Sequence, residues 1–270
     1  TSSDVELRIY QGGSPSTITN DKNDDLFAVH SLTRSEKGIW SVDVAEDLAG
    51  KYYTYNVTNT NGTNEVVDPY AKAAGVNGFR GQILDFDTLN PEGWDTLAFE
   101  DIEAPTDLTV YEMHVRDLTS DASWNGSEAK RGKYLGLVEA GTTYTEGDVT
   151  VSTGYDHLKE LGVNALQILP FFDSANNELN PAYNWGYNPS NYNVLEGAYS
   201  SDPTHGEVRV QEFKQTVKGL AEGGIRVIMD VVYNHVNAAS SSNFNIIVPG
   251  YYFRYNTNGS LSNGSGCNND

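Results

Sequence analysis

The sequence predicts a multidomain chain: an all-β sandwich at the front, then an α/β unit built on parallel strands. Three observations carry this reading. Within residues 1–94 short runs alternate apolar and polar side chains between turn clusters, and no helical period appears. From residue 109 onward short apolar strands alternate with amphipathic helical stretches. Between the two, Asp101–Thr106 with its Pro105 reads as a connector, which bounds the domains at 1–94 and 109–270 with a linker over 95–108.

Taken in order, Trp40, Val42 and Val44 alternate with Ser41 and Asp43, and Tyr53, Tyr55 and Val57 alternate with Tyr52, Thr54 and Asn56, as strands require. Turns are expected where Asp, Asn and Gly cluster, at Asn20–Asp25 and Asn59–Gly62. Trp40 and the three tyrosines read as core or face of the sandwich. In the second half, Thr109–Arg116 places Tyr111, Met113 and Val115 on one face and Glu112, His114 and Arg116 on the other. Tyr155, Leu158 and Leu161 follow at helical spacing, closed by Gly162. Asn164–Leu169 is a short apolar strand stopped by Pro170. Val210, Phe213, Val217 and Leu220 form a second helical stripe, ended by Gly223 and Gly224, and Arg226–Val232 is a third strand. Strand, helix, strand, helix, strand implies parallel pairing with crossovers. An eight-stranded α/β barrel needs about 250 residues, and residues 109–270 supply far fewer. The Asn/Gly/Ser-rich tail Asn256–Asp270 adds no strand. Either a small open α/β domain or the front of a barrel results, and the second is the favoured expectation.

Composition narrows the function classes. The chain of 270 residues carries 17 Lys+Arg against 37 Asp+Glu, a formal charge of −20. Such a field repels phosphate backbones and anionic headgroups, so neither nucleic acid nor a membrane surface is expected as partner. The single cysteine, Cys267, excludes an internal disulfide and any multi-cysteine zinc site. No apolar run has bilayer length, and no basic n-region with an apolar h-region opens the chain. Thr1 in place of Met points to a processed or cropped start. Low Lys and abundant Asn, Gly, Tyr and Ser fit a bacterial exported protein, extracellular or held at the cell surface.

H-E-x-x-H, G-x-x-x-x-G-K and G-x-S-x-G are all missing. Asp21, Asn23 and Asp25 begin like a calcium loop, but Leu26 stands where Gly is required and Leu32 where the bidentate Glu belongs. Structural calcium therefore cannot be read from spacing. Histidines 30, 114, 157, 205 and 235 are too scattered for a metal set; His157 inside its helix reads as structural. The N-x-S/T triplets at Asn56, Asn61, Asn125, Asn258 and Asn263 read as polar loops. What stands out is position. Phe171–Asp173, Tyr183–Pro189 and Asp230–His235 all follow the C-terminal ends of the expected strands, the face that holds ligand in parallel α/β barrels. Rings beside Asn, Asp and His suit a sugar, whose C–H faces stack while its hydroxyls hydrogen-bond.

Asp230–His235 (D-V-V-Y-N-H) resembles the first conserved region of the α-amylase superfamily, and Tyr183–Pro189 (Y-N-W-G-Y-N-P) resembles the signature of type I pullulanases, with Asn188 where Asp is usual. Gly154–Leu158, Leu161–Val163 and Gln167–Pro170 resemble that family's first helix and second strand. Val67–Ala73 resembles a landmark of the glycogen/starch-binding sandwich that precedes its catalytic domain. The resemblance implies an immunoglobulin-like sandwich followed by the first part of a (β/α)8 TIM barrel, in an enzyme that hydrolyses α-1,6 links of pullulan and branched α-glucans. It implies substrate-binding roles: Tyr187 stacking on the sugar, His235 bonding its hydroxyls, Asn234 and Asp230 holding the strand end, and Trp185 packed under the loop. Asn188 is expected to matter little. A retaining mechanism needs two carboxyl groups about 5 Å apart; the family's nucleophile and acid follow the fourth and fifth strands, so the catalytic residues are expected outside this chain. The family's first sandwich strand is also missing at the start. No cofactor is implied, and the rest of the same enzyme is expected as a second chain completing the barrel. A non-catalytic α-glucan-binding protein and an isoamylase-like or branching enzyme remain alternatives.

Overall fold

The computed structural model describes residues 2–14, 25–99 and 101–267. The turn expected at Asn20–Asp25 and the rejected calcium-loop start therefore fall almost wholly outside the described residues. The front domain is a sheet in the order β2–β1–β5–β6, formed by Leu26–Ser31, Asp4–Tyr10, Tyr52–Asn59 and Gly62–Val66, with the short β7 (Gly81–Gln82) also on β5. All pairings are antiparallel. A two-residue ribbon, β3 (Thr33–Arg34) against β4 (Trp40–Ser41), lies beside it. The run expected to extend from Trp40 to Val44 pairs only through Ser41.

The two faces of β5 have different chemistry. Val57, with Val5 and Val66, packs under Leu32, Trp40 and Tyr55. The other face is ionic: Glu65 accepts from Tyr10 and Thr54 and pairs with Arg8 (3.0 Å). Arg80, fully buried, lies over the Tyr10 ring and donates to Gly12 O and Asp25, each at 2.7 Å.

The second domain rests on β8 (Val110–Met113), β11 (Ala165–Ile168) and β14 (Arg226–Met229), all parallel, with β11 central. Between β8 and β11 run the single turn α1 (Asp117–Ser120), the hairpin β9 (Thr143–Glu146) with β10 (Val149–Ser152), and helix α2 (Gly154–Glu160). Between β11 and β14 come the ribbon β12 (Phe172–Ser174) with β13 (Pro189–Leu195) and helix α3 (Gly206–Glu222); α4 (Asn243–Ile247) follows β14. Met113, Leu166 and Ile168 from the strands and Val115 just after β8 meet Tyr155 and Leu158 of α2 and Leu220 of α3 in one core.

Leu161, expected on the apolar stripe of α2, is 51 % exposed. The helix stops first. Gly162 takes a positive φ of 73°, and the bonds from Gly162 N to Lys159 O and from Val163 N to Leu158 O are those of a Schellman turn. Gly224 closes α3 in the same way, with Ile225 N on Leu220 O.

Sandwich and barrel front share a polar seam. Glu178 and Arg209 form a doubly bonded ion pair with both side chains fully buried (2.8 and 2.9 Å). Glu178 also accepts from Asn77 N of the front domain and Gly197 N of the rear one, while Arg209 reaches Gly75 O, Leu195 O and Pro203 O. Beside them lie the buried carboxyls of Asp173 and Glu196. Burial above all, with the charge of Glu178 and Glu196, pushes Asp173 well above its usual range; burial and Glu178 also raise Glu196.

Candidate functional site

The three parallel strands end together, and the Tyr183–Pro189 loop folds down on their ends. Two devices hold it there. Gly186 adopts φ 84°, and a Cβ at that position would overlap the carbonyl oxygen of Pro170, so only glycine lets the loop lie this close to the end of β11. His114, directly after β8, sits under the loop at 5 % exposure. Its Nδ1 accepts from Arg116 N (3.2 Å), leaving Nε2 as the donor, which reaches Asn184 O at 2.9 Å and lies 2.9 Å from the Tyr199 hydroxyl.

On this platform Tyr187, Asp230 and His235 form one bonded unit. The Tyr187 hydroxyl donates to Asp230 Oδ2 at 2.7 Å. The bond to Asp230, above all, pushes the phenol up to about 12, so it stays a donor at neutral pH. Asp230 is placed by its own N–H, which continues the ladder to Ile168 O (3.1 Å). His235 Nε2 donates to Tyr187 O (2.7 Å), and Asn234 Nδ2 reaches both His235 Nδ1 and Ser265 Oγ at 3.1 Å. Tyr192 holds the backbone from below through His235 O (2.9 Å).

Four of the five residues proposed from the sequence, Tyr187, Asp230, Asn234 and His235, thus converge in one hydrogen-bonded cluster. Trp185 departs from its expected place: it is 61 % exposed and does not pack under the loop. Gly186 is what packs there, and the turn it makes throws the indole outward beside Tyr183, whose hydroxyl is tied to Asp117 (2.8 Å). A second correction concerns Phe171–Asp173. Phe171, Phe172 and Asp173 are 2 %, 6 % and 0 % exposed, because β12 turns inward to pair with β13, and the segment lines no open surface. Both ring nitrogens of His235 are engaged within the protein, so its immediate work is to hold the Tyr187 backbone. Asn188 is half-buried, with a buried Oδ1 that has no hydrogen-bond partner among the described residues.

Beyond His235 opens a hollow of about 600 Å³ that includes Tyr192, Tyr233, Tyr252 and Arg254 in its walls. Tyr233 and Tyr251 are 69 % and 74 % exposed, and Tyr251 stands edge-on to Tyr252 with centroids 4.9 Å apart. Sequence reading reached only the Tyr233–His235 edge of this hollow; the signal for the rest is the Tyr251-Tyr252-Phe253 run. Exposed rings beside amide and guanidinium donors bind polyhydroxylated rings. Among the described residues no group of three or more His, Cys, Asp or Glu is placed to hold a metal ion, and no helix is long and apolar enough to cross a membrane.

Residues 115–246 match the α-amylase catalytic domain, and residues 16–71 match carbohydrate-binding module 48, the isoamylase N-terminal domain. A crystal structure of pullulanase from Paenibacillus barengoltzii, in complex with maltohexaose and α-cyclodextrin, superposes on the whole chain with a TM-score of 0.91 at 41 % identity, 40 % of that chain being covered. Over nearly its whole length the chain is similar to pullulanases, and residues 115–246 are similar to the α-amylase catalytic domain. The Bacillus subtilis pullulanase is 41 % identical over 242 residues, and Arabidopsis thaliana chloroplastic pullulanase 1 is 33 % identical over 285. These alignments take in 88 % and 87 % of the chain but only 32 % and 28 % of the relatives. The fold expected from the pullulanase resemblance, an immunoglobulin-like module followed by the start of the catalytic barrel, is the one observed.

Proposed function

We propose that this chain is the glucan-binding front of an enzyme that hydrolyses α-1,6 links in pullulan and branched α-glucans. The observation that carries it is the Tyr187–Asp230–His235 unit, locked by Gly186 and His114 at the C-terminal ends of three parallel strands. Tyr187 offers a ring fixed at its hydroxyl, suited to stack against a glucosyl unit. Trp185 and Tyr233 extend that surface, and Asn234 and His235 supply polar contacts once a sugar hydroxyl replaces one of their mutual bonds. The nucleophile and acid of a retaining double displacement belong on later strands, and a further part of the same enzyme completes the sheet beyond β14. The chemistry needs no cofactor, and calcium would act only structurally. An extracellular or cell-surface place in a bacterium fits the composition.

Product analysis on the full-length protein is the test. Pullulan should be cut to maltotriose, and Tyr187→Ala should lower kcat/KM about tenfold, the size of one lost ring contact of roughly 1.4 kcal/mol. Glucan binding without any maltotriose would make this a binding protein. Chain transfer without net hydrolysis would make it a branching enzyme.

A further inference from the structure

We propose that the hollow between the β8–α1 turn and the 174–184 loop binds a phosphoryl-class oxyanion, held by Arg116 and Lys133. The hollow, about 210 Å³, is smaller than the roughly 300–1,000 Å³ of sites for drug-sized ligands. It is lined by His114, Arg116, Arg131, Lys133, Asn176 and Tyr199 among others, and by no carboxylate. In a chain of net charge −20 such a concentration of cations is unexpected unless something anionic belongs there.

The three cations are not equivalent. Arg131 is structural: its guanidinium donates to Asp121 O, Trp124 O and Glu128 and stands over the Trp124 ring. Arg116 is different. It is half-buried, its backbone N–H serves His114, and its guanidinium makes no hydrogen bond or ion pair among the described residues. Lys133 uses one ammonium proton on Ala198 O (2.7 Å), leaving two. Burial holds Lys133 below its ordinary value against the pull of Glu212 and Glu196, with Arg116 adding repulsion. The nearest acid on the Arg116 segment, Asp117, is already bonded to Tyr183 and sits 3.6 Å from His114 Nδ1. An oxyanion would satisfy a forked guanidinium and a half-used ammonium together, and phosphate is the group that forked donors of this kind recognise.

The shared chemistry fits a free phosphate ion or a phosphate ester on a sugar, and calorimetry on the full-length protein separates them. Inorganic phosphate, glucose 6-phosphate and glucose would be titrated against sodium chloride at matched ionic strength. Saturable binding of inorganic phosphate should weaken at least tenfold in Arg116→Gln, whose lost guanidinium makes no hydrogen bond or ion pair among the described residues, and likewise in Lys133→Gln. Tenfold tighter binding of the ester assigns the site to a sugar-borne phosphate; the reverse order assigns it to the free ion. Failure of both probes to saturate, or binding unchanged in both variants, overturns the proposal.

Discussion

Arg209→Met should destabilise the protein by about 3–5 kcal/mol, the loss measured when one partner of a buried ion pair is removed. Arg209 makes five hydrogen bonds, two to Glu178 at 2.8 and 2.9 Å and three to the carbonyls of Gly75, Leu195 and Pro203. Bonds to charged groups contribute about 1.5–3 kcal/mol each, but the desolvation of both charges offsets much of that sum. What remains in the variant is a carboxylate with no exposure, facing, among the described residues, two backbone N–H donors, from Asn77 and Gly197. Removing that charge should therefore rescue the protein. Glu178→Gln combined with Arg209→Met should be more stable than Arg209→Met alone by at least about 1 kcal/mol, since the amide keeps an acceptor and carries no charge. Urea unfolding of all four species, at constant ionic strength, gives the coupling. A single-variant loss below about 1 kcal/mol, or a double variant worse than Arg209→Met, would refute the view that an uncompensated charge governs this seam.

Asp173→Asn should raise stability at neutral pH. The carboxyl's folded-state pKa lies above its unfolded value near 3.9, so the wild type loses stability as pH climbs from there toward the folded value, and the gain should vanish below about pH 4; urea midpoints across pH report it. Gly186→Ala should cost about 1 kcal/mol for the positive φ. It should also lower activity on pullulan more than stability, because the new methyl lifts the loop from Pro170; kcat/KM set against the melting temperature separates the two. Trp185→Ala should weaken maltooligosaccharide binding several-fold in calorimetry while leaving the melting temperature within a degree or so, because the ring is exposed. Asn188→Asp should leave pullulan hydrolysis within about twofold.

Local chemistry left clear marks where backbone geometry was the cause. Gly162 and Gly224 announced both helix ends, and the alternation of Tyr111, Met113 and Val115 placed β8 and the core it feeds. The cluster of Tyr187, Asp230 and His235 was legible because Asp230 and His235 lie just past the end of β14 and Tyr187 lies inside the aromatic Tyr183–Pro189 run. Trp185 was misplaced because the two sides of a loop differ by one residue's turn, and the positive φ of Gly186 decides which ring faces out. The seam left no mark at all. Glu178 and Arg209 are 31 residues apart; Glu178 stands in a polar loop that looks like surface, and Arg209, though flanked by Val208 and Val210, is a charged residue with no acid beside it on either side. Only the tertiary fold makes them partners. Phe171–Asp173 was read as open for a similar reason: inward pairing with β13 depends on a chain reversal some fifteen residues later, which no local period encodes.

The bond from Asn59 Nδ2 to Ile246 O spans 187 residues, and Ile246 and Ile247 also cover Val57 and Val66 of the front sheet. On a ribosome adding about 5–20 residues per second, roughly ten to forty seconds separate β5 from the residues that shield it. During that interval one side of the sheet faces solvent with Val5, Val57 and Val66 only partly screened. The module is thus a late-maturing unit, whose apolar face is closed only once α4 has been made.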